Sequence, residues 1–408
     1  MKAAPPQRFS AWSAVVLAGL LYFTILTDAA RGRWALSLFQ GGVLGLAIVW
    51  AIRMIFRPYQ LRRSVLLIPL GGTALWGLLQ IFTNQTVYRF ETWNAVLGWT
   101  TNFVLFLLAL QILGISEIRR TFLQALLYFS FALSVVSVIQ YFTSNGKVFW
   151  VFSARYADQS MGPFLNPAHY ASFIALLLPL AVYKAVTGHK TAAGHAAMAG
   201  AMFASAIAGA SRAGSILVTA EIAVLLWPVI RGEATDSRRP AEVLARIAFF
   251  AAVFTAVVGW EVLWERFNAP EPYRLRQEMV RSSGAMVLER PWMGFGLGTW
   301  PTVYPAYALF DIGAVATHAH SDWAEWAAEG GIPLFVMLLA VFFWSIRHSM
   351  DFPWGVGVVA VFLHSLVDFP LAKPSLAAWV FVLLGAMAAA ATEQLTADNR
   401  AYRVLRCS

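Results

Sequence analysis

The sequence predicts an all-α polytopic membrane protein, and three features of its composition lead to that fold class. Hydrophobic residues make up 59% of the 408 residues and charged residues only 12%, whereas soluble domains usually carry about 25% charged residues. Apolar stretches long enough to cross a bilayer recur from one end of the chain to the other. No stretch is polar enough to form a separate soluble domain, so we predict a single integral membrane domain over residues 1–408.

Twelve hydrophobic segments define the predicted transmembrane helices, since a span needs about 20 apolar residues and shorter ones are tolerated inside a bundle. The first follows a short basic N-terminus without a small-residue cleavage site, so we expect a retained span rather than a signal peptide. The seventh and eighth are separated only by the break ASRAGS, which is also compatible with a kinked or re-entrant element. The predicted spans are 11–27, 34–56, 64–82, 93–113, 121–142, 169–187, 196–210, 214–230, 247–264, 327–346, 354–369 and 375–392.

Lysine and arginine predict that the N- and C-termini are both cytoplasmic. Basic residues follow alternate spans in the segments IFRPYQLRR, ISEIRR, TGHK, RGEATDSRRPAEVLAR and IRHSM, and they recur in the C-terminal tail. This distribution agrees with the positive-inside rule, and an even number of spans leaves both termini on one side. Two outer loops result: a shorter one at 143–168 and a long one at 265–326, between the ninth and tenth spans.

The long outer loop is rich in arginine, which works against the usual charge asymmetry. One interpretation is structural, with each arginine paired to an acidic residue of the same loop. The other is an anion site on the outer side. The formal charge of +9 fits either such a site or contact with anionic lipid at the inner face. The residues concerned are Arg266, Arg274, Arg276, Arg281 and Arg290 in the loop with Glu265, Glu271, Glu278 and Glu289, then Arg155 in the shorter loop and Arg212 at the outer break after the seventh span.

Residues 317–331, THAHSDWAEWAAEGG, concentrate ionisable side chains just before the tenth span. If the segment is helical, four of them share one face because they are four, three and four residues apart. His320 lies off that face, at or before the helix start. The four are His318, Asp322, Glu325 and Glu329.

The same segment predicts how this helix begins and where it is interrupted. Ser321 or Asp322 can cap a helix that starts near residue 322 and continues into the tenth span. Gly330, Gly331 and Pro333 are expected to loosen the helix at the membrane surface.

A histidine near several arginines indicates group-transfer chemistry. Arginine holds diphosphate oxygens through paired hydrogen bonds and offsets charge that builds on a leaving group. Histidine can take a proton from an attacking hydroxyl. Together they describe transfer from a diphosphate donor to an alcohol on the outer face. Two alternatives stay open: zinc bound by the H-x-H pair and nearby acids, although HExxH is absent, and a glycosidase-like acid pair.

Five segments, in order, resemble motifs of the O-antigen ligase and polymerase superfamily of bacterial membrane glycosyltransferases. HAHSDWAEWAAEGGIPLF resembles its H-x-H-N-x-x-L…E-G-G-x-x-G signature, and RLRQEMVRSSGAMVLERPWMGFGLGTW is similar to its arginine segment, which ends in P-x-x-G-x-G. MGPFLNPAHYASFIALLLPL, ASRAGSIL and HSLVDFPL resemble three further blocks. The matches cover residues 161–371, and Ser321 and Ala168 stand where the family usually has asparagine.

The resemblance implies transfer of a glycan from undecaprenyl diphosphate on the periplasmic side of the bacterial inner membrane. The reaction it implies is inverting and needs neither a metal nor another cofactor. The functional histidine of the family falls on His320, its loop arginine on Arg276 and its turn arginine on Arg212. The implied acceptor is lipid A–core in a ligase and another lipid-linked glycan in a polymerase. Membrane lipid, and not nucleic acid, is the expected surrounding partner.

Further substrate contacts are expected from residues close to these motifs. Asp368 and Lys373 are expected at the outer end of the last two spans, where they either close the pocket or pair with each other. Trp292, Trp300 and Trp323 lie near enough to the motifs to stack on sugar rings. The expected substrate-binding residues are Arg281, Arg274, His318, Asp322, Glu329, Arg155 and His169.

Two functions compete with that of a ligase. A polymerase shares the donor and the site; the polymerase-type arginine-x10-glycine spacing is missing from the arginines of both outer loops, which favours the ligase, whereas the HSLVDF block favours the polymerase. A twelve-span transporter is the alternative from another class. Carriers, however, concentrate charge near the bilayer midplane, whereas this chain concentrates it in one outer loop and at span ends.

Overall fold

The computed structural model is a helical bundle, and it describes residues 7–28, 32–57, 59–153, 160–188, 190–231, 240–268, 274–311, 313 and 315–407. Helix accounts for 78% of the protein. Among the described residues, the only sheet is a small antiparallel hairpin of β1 (Lys147–Val148) and β2 (Phe152–Ser153), in which Lys147 pairs with Ser153. The predicted all-α class is therefore confirmed.

Within these ranges, eight helices are long and apolar enough to cross a membrane, and three shorter apolar helices accompany them. The eight are α1 (Gln7–Leu26), α2 (Trp34–Phe56), α4 (Arg89–Ile112), α5 (Ser116–Thr143), α6 (Pro167–Thr187), α8 (Arg212–Ile230), α13 (Asp322–Asp351) and the first part, to Leu395, of α15 (Pro374–Cys407). The shorter three are α3 (Leu67–Phe82), α7 (Ala192–Ala208) and α14 (Val356–His364). The remaining helices are α9 (Pro240–Val258), α10 (Glu261–Asn268), α11 (Arg274–Glu289) and α12 (Trp300–Val303).

Each of the twelve predicted spans overlaps one of these helices, but twelve membrane crossings and their orientation stay a prediction. Two predicted spans run well past the end of their helix. The helix of the ninth predicted span, α9, ends at Val258, because Gly259 adopts a φ of +88° and α10 begins beyond it. The helix of the eleventh predicted span, α14, ends at His364 rather than at 369, and residues 365–367 form a turn.

The centre of the bundle is formed by α6 and α15, the most buried of the candidate spans. α15 packs against α4, while α6 packs against α7, α8 and α14. Small residues allow these close approaches: a Cβ on Gly357 of α14 would lie 2.3 Å from the carbonyl oxygen of Leu176 in α6. The central position of α6 brings its first turn next to the ends of α8 and α14.

The tenth predicted helix is capped and interrupted as the sequence predicts. Ser321 caps α13 by accepting a hydrogen bond from the amide of Ala324. Gly331 breaks the helix with a φ of +67°. The turn from Pro291 to Gly296 fills this break: the amides of Phe295 and Gly296 donate to the carbonyls of Ala328 and Glu329 at 3.1 and 3.0 Å.

The predicted long outer loop is more structured than expected, because it contains α11 and α12. A small apolar core of its own holds these helices together and packs α11 against α13. Its members include Met279, Met286, Phe295, Trp300 and Tyr304. This core places three of the loop arginines, Arg274, Arg276 and Arg281, on a helix that packs against α13.

Candidate active site

Three histidines from two segments surround one phenylalanine ring, that of Phe369. The His318 ring stacks on it at a centroid distance of 4.4 Å, while the rings of His320 and His169 meet it edge-on, both at 4.9 Å. His169 belongs to the first turn of α6, which Asn166 caps by accepting from the amide of Ala168. The structure thus brings together two of the predicted motifs and the HSLVDF block.

His320 is held in an unusual backbone conformation next to a buried carboxylate. Its φ of +51° lies in the left-handed region that non-glycine residues rarely occupy. The amide of Asp322, two residues further on, donates to the carbonyl of Asp368 at 3.2 Å and ties this turn to Asp368. His320 Nδ1 lies 3.6 Å from Asp368 Oδ1, with the His320 side chain 32% exposed and that of Asp368 1%. Nε2 is therefore the ring nitrogen that remains for a substrate.

The pKa of Asp368 is lowered below its ordinary value although the residue is buried. Burial by itself raises the pKa of this carboxyl. The contact with His320 and the neighbouring charges, including that of Arg276, act in the opposite direction and prevail. Asp368 therefore faces His320 as a carboxylate, which suits it to orient an imidazole and to stabilise its protonated form.

Arg276 binds the chain directly beside this pair. It belongs to α11, and its Nη1 donates to the carbonyl oxygen of Val367 at 3.0 Å, one residue before Asp368. The alternative that Arg276 pairs with loop acids fails within the described residues. Glu278 instead accepts from Ser282 Oγ, the Tyr304 hydroxyl and the Leu309 amide, and Glu289 accepts from the Tyr307 hydroxyl.

Arg212 is the first residue of α8, directly after the capping residue Ser211. This helix end packs closely on α6: a Cβ on Gly214 would lie 2.2 Å from the Cβ of Ala171, two residues after His169. Arg212 therefore begins its helix at the end of α6 that carries His169.

Three predicted substrate contacts are engaged with other parts of the protein. His318 lies before the start of α13, so it does not share a helical face with the three acidic residues as predicted; its Nδ1 instead lies 3.1 Å from Glu325 Oε1 and joins the loop to the first turn of the helix. Asp322 is buried and accepts from Ser365 Oγ at 2.9 Å and from the amides of Leu371 and Ala372, which ties α13 to the segment after α14. Glu329 is also buried and accepts from the amide of Trp300 at 2.9 Å.

The remaining predicted contacts are more peripheral. Arg274 is exposed and lies over the ring of Phe310 at 5.4 Å. Arg281 is exposed and stands about 140° around α11 from Arg276, given 100° per residue in an ideal helix. Arg155 lies outside the described residues. For all these residues a substrate contact stays a prediction.

Two expectations about neighbouring side chains are wrong. Asp368 does not pair with Lys373, because its carboxylate is turned to His320, while the Lys373 ammonium lies 5.8 Å from the centre of the Phe369 ring. Stacking on sugars is excluded for Trp300, which is fully buried, and Trp323 is nearly so, with its indole donating to the carbonyl of Phe362. Trp292, 67% exposed, keeps a surface that a ligand can reach.

Sequence reasoning missed Phe369 and His364. His364 ends α14, and its Nδ1 lies 2.7 Å from Ser172 Oγ in α6. The spacing H-x3-D in HSLVDF was the available signal, since it places His364 one turn before Asp368. In the described part of the chain, no three His, Cys, Asp or Glu side chains converge in a group that could hold a metal ion.

The comparisons with known proteins bear on this arrangement directly. Residues 197–339 match the family model described as O-antigen ligase. The match confirms the resemblance to the O-antigen ligase and polymerase superfamily. It covers under half of the chain, from α7 into α13, and includes Arg212, Arg276 and His320 but neither His169 nor Asp368. No curated protein matches the chain.

The family and the apolar helices together support a coarse functional assignment. The eight long apolar helices support a multi-pass membrane protein, and the family match supports a function of ligase or polymerase type with lipid-linked glycans as substrates.

Proposed function

We propose that the protein is a glycosyltransferase of the O-antigen ligase type that acts on the periplasmic face of the inner membrane. It moves a glycan from undecaprenyl diphosphate to a sugar hydroxyl of lipid A–core. The observation that carries this proposal is the cluster in which His320 faces the Asp368 carboxylate and Arg276 binds the adjoining carbonyl. A base, its orienting acid and a guanidinium then lie around one turn of chain.

In this mechanism the acceptor hydroxyl oxygen attacks the anomeric carbon of the donor from the side opposite the diphosphate. His320 Nε2 takes the hydroxyl proton, while Asp368 orients the ring through Nδ1 and stabilises its positive charge. The bond between the anomeric carbon and the diphosphate oxygen breaks, with inversion. Arg276 and Arg212 hold the departing diphosphate and offset its charge.

The experiment is reconstitution of the protein in liposomes with an undecaprenyl-diphosphate-linked glycan and lipid A–core, followed by mass spectrometry of the product. The wild type is expected to form a new glycosidic bond, and His320→Ala to form none while still binding donor. His348→Ala is the matched control, because His348 lies near the far end of α13, stacked on Trp344. Turnover by His320→Ala at the wild-type rate would remove the base from the mechanism.

Replacing the acceptor separates the other candidate functions. A polymerase extends a second lipid-linked glycan and ignores lipid A–core, so product of that kind alone would favour the polymerase. A transporter moves solute across the same liposomes without a lipid-linked donor. Unchanged glycosyl transfer after treatment with EDTA is expected, and loss that a divalent ion restores would return the zinc alternative.

A further inference from the structure

Three buried polar atoms in and beside the His320–Asp368 pair have no hydrogen-bond partner among the residues that the structure describes. One is Nδ1 of His320, 3.6 Å from Asp368 Oδ1, and the other two lie outside that contact: Oδ2 of Asp368 and Nε2 of His364. The Asp368 amide donates to the His364 carbonyl at 3.0 Å, so both side chains leave the same turn of chain. Nearly all buried polar groups are hydrogen-bonded. Oδ2 of Asp368 and Nε2 of His364 therefore need a hydrogen-bonding partner.

The hydrogen bonds of Ser172 indicate which nitrogen of His364 carries the proton. Ser172 Oγ donates to the carbonyl of Ala168 at 3.1 Å and lies 2.7 Å from His364 Nδ1. A hydroxyl has a single hydrogen, so with this assignment the imidazole donates from Nδ1 to Ser172. The Nε2 of a neutral His364 then presents a lone pair, as Asp368 Oδ2 does.

We propose that His364 is a positioning residue for the proposed base: its Nε2 and Asp368 Oδ2 accept from one shared water molecule, which keeps Oδ1 turned to His320. A water molecule has two hydrogens and satisfies both acceptors at once. His364 acts through Asp368 and touches neither substrate. The inference rests on the proposed function, because it assigns His320 the role of base.

The charged and titratable groups around His364 come from every neighbouring element, and none of them hydrogen-bonds to its Nε2. Arg276 of α11 donates to the Val367 carbonyl, and Asp322 of α13 accepts from Ser365 and two amides. The ring of His169 in α6 and the Lys373 ammonium both face Phe369. Arg212 begins α8, which also packs against α14.

The kinetic test compares His364→Phe, which fills the space without polar atoms, with His364→Gln, whose amide can donate to Asp368. His364→Phe is expected to lower kcat by about tenfold to a hundredfold with KM unchanged, and His364→Gln to recover most of that loss. Ser172→Ala is the milder second variant and should lower kcat in the same direction. The matched controls are His195→Phe and His195→Gln, since His195 is a buried histidine of α7 that contacts Gln124 and the Thr191 carbonyl.

A double-mutant cycle asks whether His364 works through Asp368. In the Asp368→Asn background, His364→Phe should cause no further loss, because the carboxylate it positions is already gone. Losses that multiply in the double variant would show a separate, structural role and would overturn the proposal.

A readout without turnover separates this inference from the proposed function. The rate at which diethyl pyrocarbonate modifies His320, followed by mass spectrometry, depends on how the ring is held. We expect the rate to change at least about threefold in His364→Phe, and to stay at the wild-type value in His195→Phe. If the wild type makes no glycosidic bond but this change is seen, the positioning stands and the proposed function fails. An unchanged rate in both His364 variants would overturn the positioning.

Discussion

The two ends of the bundle treat arginine and carboxylate side chains differently, and helix α15 connects them. At its far end, Arg119 donates to the Glu393 carboxylate at 2.7 Å and to the Leu113 carbonyl at 2.9 Å. Arg62 beside it donates to the Gly114 carbonyl and to Thr392, while Gln111 binds the backbone of Arg62 in both directions. Each of these two guanidinium groups makes two hydrogen bonds inside the protein.

At the other end, the groups keep hydrogen-bonding capacity. Within the described residues, Arg276 has one hydrogen bond, to a carbonyl, although a guanidinium has five N–H donors. His320 Nδ1 stands at 3.6 Å from its carboxylate, longer than a normal hydrogen bond. Catalytic hydrogen bonds are often long before substrate binds and tighten in the complex. A saturated network stabilises a fold, whereas an incomplete one is prepared for a ligand.

The largest expected effect is that of Asp368→Asn on turnover. Because an amide neither carries charge nor stabilises a protonated imidazole, kcat for glycosyl transfer should fall by about a thousandfold. Initial rates in proteoliposomes measure this, with Asp351→Asn at the far end of α13 as control. A fall of less than about threefold would place Asp368 among structural groups such as Glu393.

Arg276→Gln should have the next largest effect. Loss of the guanidinium is expected to lower kcat/KM by about a hundredfold, and Arg276→Lys to restore part of it because charge returns without the paired donors. Arg33→Gln is the control, since Arg33 is an exposed arginine outside the cluster that lies over the ring of Phe90. Equal rates for Arg276→Gln and Arg33→Gln would contradict a role in diphosphate binding.

Asp322→Asn tests a saturated carboxylate at the His320 end. Asp322 accepts three hydrogen bonds in a buried position, so its replacement should lower the free energy of unfolding by about 1–3 kcal/mol. Thermal unfolding in detergent, followed by tryptophan fluorescence, measures the change. Asp311→Asn, in an exposed turn, provides the comparison. Unchanged stability with lost activity would instead make Asp322 part of the reaction.

The smallest effect is expected for Glu393→Gln. Its ion pair with Arg119 is partly exposed, with 42% of the Glu393 side chain accessible, so the change in stability should be under about 1 kcal/mol. Glycosyl transfer should stay at the wild-type rate. A marked loss of transfer would mean that the two ends are coupled, and the contrast between them would fail.

Sequence reasoning located the helices well because each needs only a run of apolar residues. It also placed the start of α13, since Ser321 is a good capping residue and Gly331 a good breaker. The structure within the long loop was harder to predict. One interpretation of the sequence pairs its arginines with acids of the same loop. In the structure, Glu278 instead binds Tyr304, and Arg276 binds Val367, more than 90 residues further along the chain.

The pairing of His320 with Asp368 was out of reach for the same reason. In the sequence, His320 precedes the long helix α13 and Asp368 follows it. Only the packing of α14 against α6 and α13 brings Asp368 next to His320. Local spacing suggested Lys373 as the partner of Asp368. In the folded protein, tertiary contacts place Asp368 against His320 instead.

The interruption of α13 at Gly331 has a consequence for how the protein is made. The carbonyls that the break releases need donors, because an unpaired carbonyl in lipid is costly. The turn 291–296, which the ribosome produces before α13, supplies two of these donors. We therefore expect this turn to be in place before the span is stably inserted, and we expect changes in the turn to impair insertion.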